Sequence, residues 1–145
     1  MSLKLHVGVV PTNRHGYGYM RELHNSPYQQ EMIAEINSPF KPELIVLDGI
    51  DAFVDGGPMT GKRAKGNVFL ASTDRVAIDA VGVAILKMLG SNDYIMKPNI
   101  FEQRQIARAG ELGLGASLPS EIDIIAVDDQ SIEYRNQIAY ILNMG

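Results

Sequence analysis

The 145-residue chain contains no cysteine. It therefore holds no disulfide, and no zinc ion or iron–sulfur cluster ligated by its own thiolates. It also lacks a surplus of positive charge: 13 Lys and Arg stand against 17 Asp and Glu, a net charge of -4. The broad basic footprint of a nucleic-acid binder is missing, and the cluster Lys62, Arg63, Lys65 is too short to supply one. Long apolar runs are absent too. The best candidate, Val76 to Leu86, is interrupted by Asp79 and falls short of the roughly 18 residues of a membrane span. MSLKLHVGVV offers no signal-peptide core, so the expected location is the cytoplasm. There is no internal repeat and no low-complexity stretch.

What is present fits a folded domain: 46% apolar and 21% charged residues. Leu3, Leu5, Val7 and Val9 alternate with Lys4, His6 and Gly8, the pattern of a strand. Pro11 to Asn25 reads as a loop. Ser26, Pro27 and Gln29 form a helix start, and Tyr28, Met32, Ile33 and Ile36 share one face until Pro39 and Pro42 end it. Leu44 to Leu47 reads as a strand buried on both faces. Asp48 to Gly66, with five of the 14 glycines, reads as a long loop, and Asn67 to Ala71 as a further strand.

Ser72-Thr73-Asp74 opens a long central helix that Gly90 ends. Asn99 and Glu102 open a shorter one, stopping near Gly113. Glu121 to Val127 reads as a last strand, and Ser131 to Asn143 as a terminal helix. Alternating strands and helices predict a single layered α/β domain over residues 1–145, with a largely parallel or mixed sheet of about four strands flanked by helices. Because a strand-like run starts almost at residue 1, we expect the domain to be part of a longer protein.

In such sheets, ligands sit beyond the carboxyl ends of strands. The loop after Leu47 carries Asp48, Gly49, Asp51, Asp55, Gly56, Gly57, Gly61 and Lys62. Glycines let backbone amides approach an anion, and carboxylates hold cations or hydroxyls. Gly56 to Lys62 matches the start of a phosphate-binding G-x-x-x-x-G-K-[ST] loop, but Arg63 replaces the magnesium-binding hydroxyl and a strand follows where a helix should. That match is chance. The bland alternative is a structural loop whose glycines turn the chain and whose Asp48 and Asp55 bond loop amides. A loop this long tilts the balance toward a site.

Arg14 and His15, in the loop after the first strand, are candidates to face the same ligand. His15 and His24 match no zinc spacing, so each alone is better read as a surface histidine. Ser72 and Asp74, at a helix start, are either ligand-facing or simply capping. Asp79, one turn after Arg75 in an apolar helix, is expected to pair with that arginine.

Three segments, PELIVLDGIDAFVDGGPMTGK, NVFLASTDRVAIDAVGVAILKMLG and QIARAGELGLGAS, together resemble the DUF362 family, a domain of unknown function. The pattern is carried by Asp48, Gly49, Gly57, Pro58, Gly61, Ala71, Ser72, Asp74, Ala77, Asp79 and Ala80. The resemblance runs over about residues 3 to 128 and is to the carboxyl-terminal part of the family domain. Members often carry ferredoxin-like iron–sulfur segments elsewhere in longer chains, so it implies a redox- or cofactor-associated setting. No cofactor is assigned by it, and without cysteine the iron–sulfur association transfers to no residue of this chain. The leading reading is a domain that binds a small anionic ligand or a divalent metal at the Gly/Asp-rich loop. The alternative is a non-catalytic scaffold that docks to a missing amino-terminal segment or to an iron–sulfur partner. Neither a reaction nor an oligomeric state is legible.

Overall fold

The computed structural model describes residues 23–57 and 59–145. The strand expected at Leu3 to Val10 and the loop residues Arg14 and His15 lie outside the described residues. The described chain runs α1 (Gln29–Asn37), β1 (Ile45–Asp48), β2 (Asp51–Asp55), β3 (Lys62–Lys65), β4 (Phe69–Ser72), α2 (Arg75–Met88), α3 (Asp93–Met96), α4 (Arg104–Glu111) and α5 (Ile132–Met144). Short 3-10 turns sit at Ile100–Glu102, Pro119–Glu121 and Asp129–Ser131.

The fold is α/β, but its sheets differ from expectation. They are two antiparallel pairs, β1 with β4 and β2 with β3, not one largely parallel sheet of four strands. The reason lies in the segment read as a long loop. Asp51, Phe53 and Asp55 alternate with Ala52 and Val54, and the returning Lys62 to Lys65 pairs with them across a bulge between Phe53 and Asp55. Gly49 N donates to Val68 O at 2.9 Å and Gly66 N to Ile50 O at 3.0 Å. Those bonds carry β1 into β2, and β3 into β4, as one out-and-back ribbon. Glycine is required at position 49 because a Cβ there would lie 2.8 Å from Val68 Cγ1.

β1 is not buried on both faces. Ile45 and Leu47 turn inward while Val46 is 61% exposed. The last expected strand, Glu121 to Val127, keeps the alternation without a ladder. Ile122 and Ile124 pack against the core, whereas Ile125 and Val127 face out.

α2 is the central helix, as its nearly continuous apolar run requires. Val76, Ile78, Ala80, Val81, Ala84 and Ile85 are buried, the larger of them worth about 1.5–3 kcal/mol each. Ile100, Ile106, Ile138 and Leu142 from the surrounding elements complete the core. Gly90, at φ +74°, ends the helix as expected. α1 is tied to α4 by ion pairs: Arg104 with Glu31 at 2.6 Å and Arg108 with Glu35 at 2.7 Å. Burial would raise the Glu31 carboxyl, but a backbone bond and Arg104 together hold it below its ordinary value.

Candidate functional site

The end of β1, the start of β2, the middle of α2 and the start of α4 line an open cavity of about 390 Å³. Leu47, Gly82, Val83, Leu86, Ile95 and Ile106 make its apolar surface. Gly82 lets helix and strand come close, since a Cβ there would lie 3.2 Å from Leu47 Cδ1. The polar residues among its lining are Asp48, Asp51 and Asp79, and Gln30, Gln103 and Gln105. A mostly apolar cavity with a few converging polar groups is the usual form of a small-ligand site.

Each carboxylate keeps spare acceptor capacity. Asp48 Oδ1 accepts from Ile50 N at 3.0 Å, the local turn bond expected of an Asp after a strand. Asp51 pairs with Lys65 at 2.9 Å on the exposed ribbon. Asp79 accepts from Gln105 Nε2 at 3.2 Å. Although Asp79 is solvent-accessible by area, crowding around its carboxylate withdraws enough water to raise its proton affinity, and the Gln105 bond offsets this only in part.

The expected Arg75–Asp79 pair is not formed. Arg75 instead donates to Asn37 O at 2.6 Å and Leu114 O at 3.3 Å, tying the start of α2 to the end of α1. With the guanidinium engaged at these carbonyls, Asp79 is left to Gln105.

The other sequence candidates lie apart from this cavity. Gly56, Gly57, Gly61 and Lys62 are exposed at the far end of the ribbon. Asp55 is exposed there too and accepts from Asn92 Nδ2 at 3.2 Å. Ser72 Oγ accepts from Asp74 N at 2.9 Å. Asp74 caps α2, its Oδ1 accepting from Val76 N at 2.8 Å and Ala77 N at 2.9 Å, while Oδ2 accepts from Ala116 N at 2.8 Å. The amides at this helix start are thus occupied by the chain's own carboxylate. The sequence reading therefore reached three of the cavity's residues, Asp48, Gly49 and Asp51. It assigned Asp79 a structural pair and passed over the glutamines. A lone carboxylate in an apolar helix was the available signal for Asp79. Gln103 and Gln105, alternating through the turn into α4, gave no signal without the fold.

Among the described residues no group of three or more His, Asp or Glu is placed to hold a metal ion, and no helix is long and apolar enough to cross a membrane.

Comparison with known proteins adds three findings. The family model "Domain of unknown function (DUF362)" matches residues 1–84. The chain is 30% identical over 125 residues to "Thylakoid-associated protein sll1697" of Synechocystis sp. (strain ATCC 27184 / PCC 6803 / Kazusa), an alignment covering 84% of this chain. The chain spans only 38% of that relative's length. No solved structure matches. With its glycine and aspartate pattern distributed over the ribbon, the cap of α2 and the cavity wall, and more than half its length matched, the chain belongs to the DUF362 family, whose function is unknown.

Proposed function

We propose that this DUF362 domain binds a small organic ligand in the cavity between β1, α2 and α4, as part of a longer, redox- or cofactor-associated cytoplasmic protein. One observation carries the reading: three aspartates and three glutamines are the polar lining residues of a mostly apolar cavity of about 390 Å³. Among the described residues no Lys or Arg lines it. The lining therefore favours a ligand that donates hydrogen bonds or carries positive charge, an amine or a polyhydroxylated compound, over the anion or metal suggested by the Gly/Asp-rich segment. An anion seated at the start of α2 has less support, because Asp74 already occupies the amides. A metal has less support, because the carboxylates do not gather closely enough.

The cost of keeping Asp79 ionised in a crowded wall is the kind of local destabilisation that a ligand relieves. Its test is a thermal-shift panel of amines, polyols and nucleosides against phosphate and carboxylate controls. A stabilising compound should lose its effect in Asp79→Asn and keep it in Asp55→Asn, which alters a carboxylate outside the cavity. If both variants retain the shift, or only anions stabilise, the cavity is not the site.

A further inference from the structure

A groove of about 680 Å³ adjoins the cavity, and Asp79 and Gln105 line both. Four elements pass from one space to the other. On β1, Ile45 and Val46 line the groove, and Leu47 and Asp48 the cavity. On α2, Val76 and Ile78 line the groove, Gly82 and Val83 the cavity, and Asp79 sits between them. On α1 the change falls between Gln30 and Ile33, and on α4 between Ile106 and Ala109. The two spaces are therefore successive stretches of one trough. The Asp79–Gln105 hydrogen bond, 3.2 Å long, crosses it from α2 to α4. Among the described residues the groove's lining is mostly apolar, with Phe40, Leu44 and Leu114 besides those of β1, α1 and α2. Of its two cations, Lys41 is exposed and Arg75 is engaged at the carbonyls of Asn37 and Leu114.

We propose that the ligand is an amphipathic amine, its ammonium among Asp48, Asp51 and Asp79 and its apolar chain running past Gln105 into the groove. The inference rests on the cavity reading above and adds the tail. An ammonium has three N–H donors and no acceptor, which suits a lining with three aspartates and, among the described residues, no Lys or Arg. A polyol in the cavity leaves the apolar lining of the groove in water, whereas an apolar chain withdraws it. Phe40, Leu44 and Val46, exposed by 45%, 55% and 61%, are the surface such a chain covers. The way between the two spaces is crossed by one side-chain hydrogen bond in an exposed setting, which exchanges at little cost for a bond to the ammonium.

Titration of the intact 145-residue chain with propylamine, hexylamine and octylamine tests this, each below micelle-forming concentrations and followed by amide-resolved NMR, with 1-hexanol as an uncharged tail. Propylamine should shift Asp48 to Ala52 and Asp79 to Leu86. The longer amines should also shift Ile33 to Asn37 and Leu44 to Val46, and Kd should fall about threefold per added methylene. Val46→Asn, at an exposed position outside the cavity, should weaken octylamine about tenfold and propylamine hardly at all. Leu44→Asn takes its place if that variant does not fold. Propylamine binding with no gain from chain length overturns the tail and leaves the cavity reading standing. A gain that the asparagine variant leaves unchanged also overturns it, as does 1-hexanol binding as tightly as hexylamine, because either marks nonspecific uptake of the chain. No shift in either region with any amine overturns the proposal together with the amine form of the cavity reading.

Discussion

Replacing Asp74 by alanine removes three hydrogen bonds with one side chain: the cap bonds to Val76 N and Ala77 N, and the long-range bond to Ala116 N, all between 2.8 and 2.9 Å. Loss of an N-cap costs about 0.5–2 kcal/mol. A hydrogen bond to a charged group contributes about 1.5–3 kcal/mol. One carboxylate serves both, so the losses overlap, and we expect about 3 kcal/mol for Asp74→Ala. For a chain of this size each kcal/mol moves Tm by about 3 °C, giving a fall of about 10 °C. Asp74→Asn keeps an oxygen for the cap but turns an amide toward Ala116, so it should fall in between. Circular dichroism melts with urea titrations measure both. A shift below about 2 °C for the alanine variant would overturn this, because it would mean that water replaces the carboxylate at all three amides.

Four further outcomes follow from the same structure. Asp79→Asn should raise Tm at pH 7. The folded-state carboxyl binds its proton more tightly than the unfolded one, so stability falls as pH rises from the ordinary carboxylate range through the raised value, and the amide removes that cost. Melts from pH 3 to 8 check this, and a destabilised amide variant would contradict it. Gly115→Ala should destabilise, because its Cβ would meet the Asp74 carboxylate, and should cost much less in the Asp74→Ala background. A double-mutant cycle by urea unfolding reads that coupling. Lys87→Met should cost about 2 kcal/mol and loosen α5, since Lys87 Nζ donates to Met96 O, Pro98 O and Gly145 O at 3.1, 2.7 and 2.7 Å; hydrogen exchange near Met96 and in the last turn of α5 locates the loss. Arg108→Ala should cost only about 1 kcal/mol or less by urea titration, because its pairs with Glu35 and Glu111 are largely solvent-exposed.

The helices were legible because their signals are local. The proline stop after α1, the apolar run of α2, the Asn99–Glu102 turn and the stripe of α5 each place an element to within a few residues. Strand pairing was not, because it depends on residues far apart in sequence. Asp48 to Gly66 looks like a loop by composition, and only its return against itself makes it a ribbon. Leu44 to Leu47 looks fully buried, yet Leu44 and Val46 stay exposed while Ile45 and Leu47 turn inward. The site divides in the same way. Glycine and aspartate type flagged the right segment, but of its eight flagged residues three line the cavity and five lie at the exposed tip. Asp74 and Asp79, five residues apart in one helix, take opposite roles because 100° per residue sends them to different neighbours.

The most direct test of the cavity is an amide-resolved NMR titration of the isotope-labelled chain with an amine-bearing and a polyhydroxylated compound, with inorganic phosphate and acetate as controls. A donor-bearing compound should give saturable shifts at Asp48 to Ala52 and Asp79 to Leu86, lost in Asp79→Asn, and the anions none there. Shifts confined to Gly56 to Lys62, or anion binding at the start of α2, would contradict it.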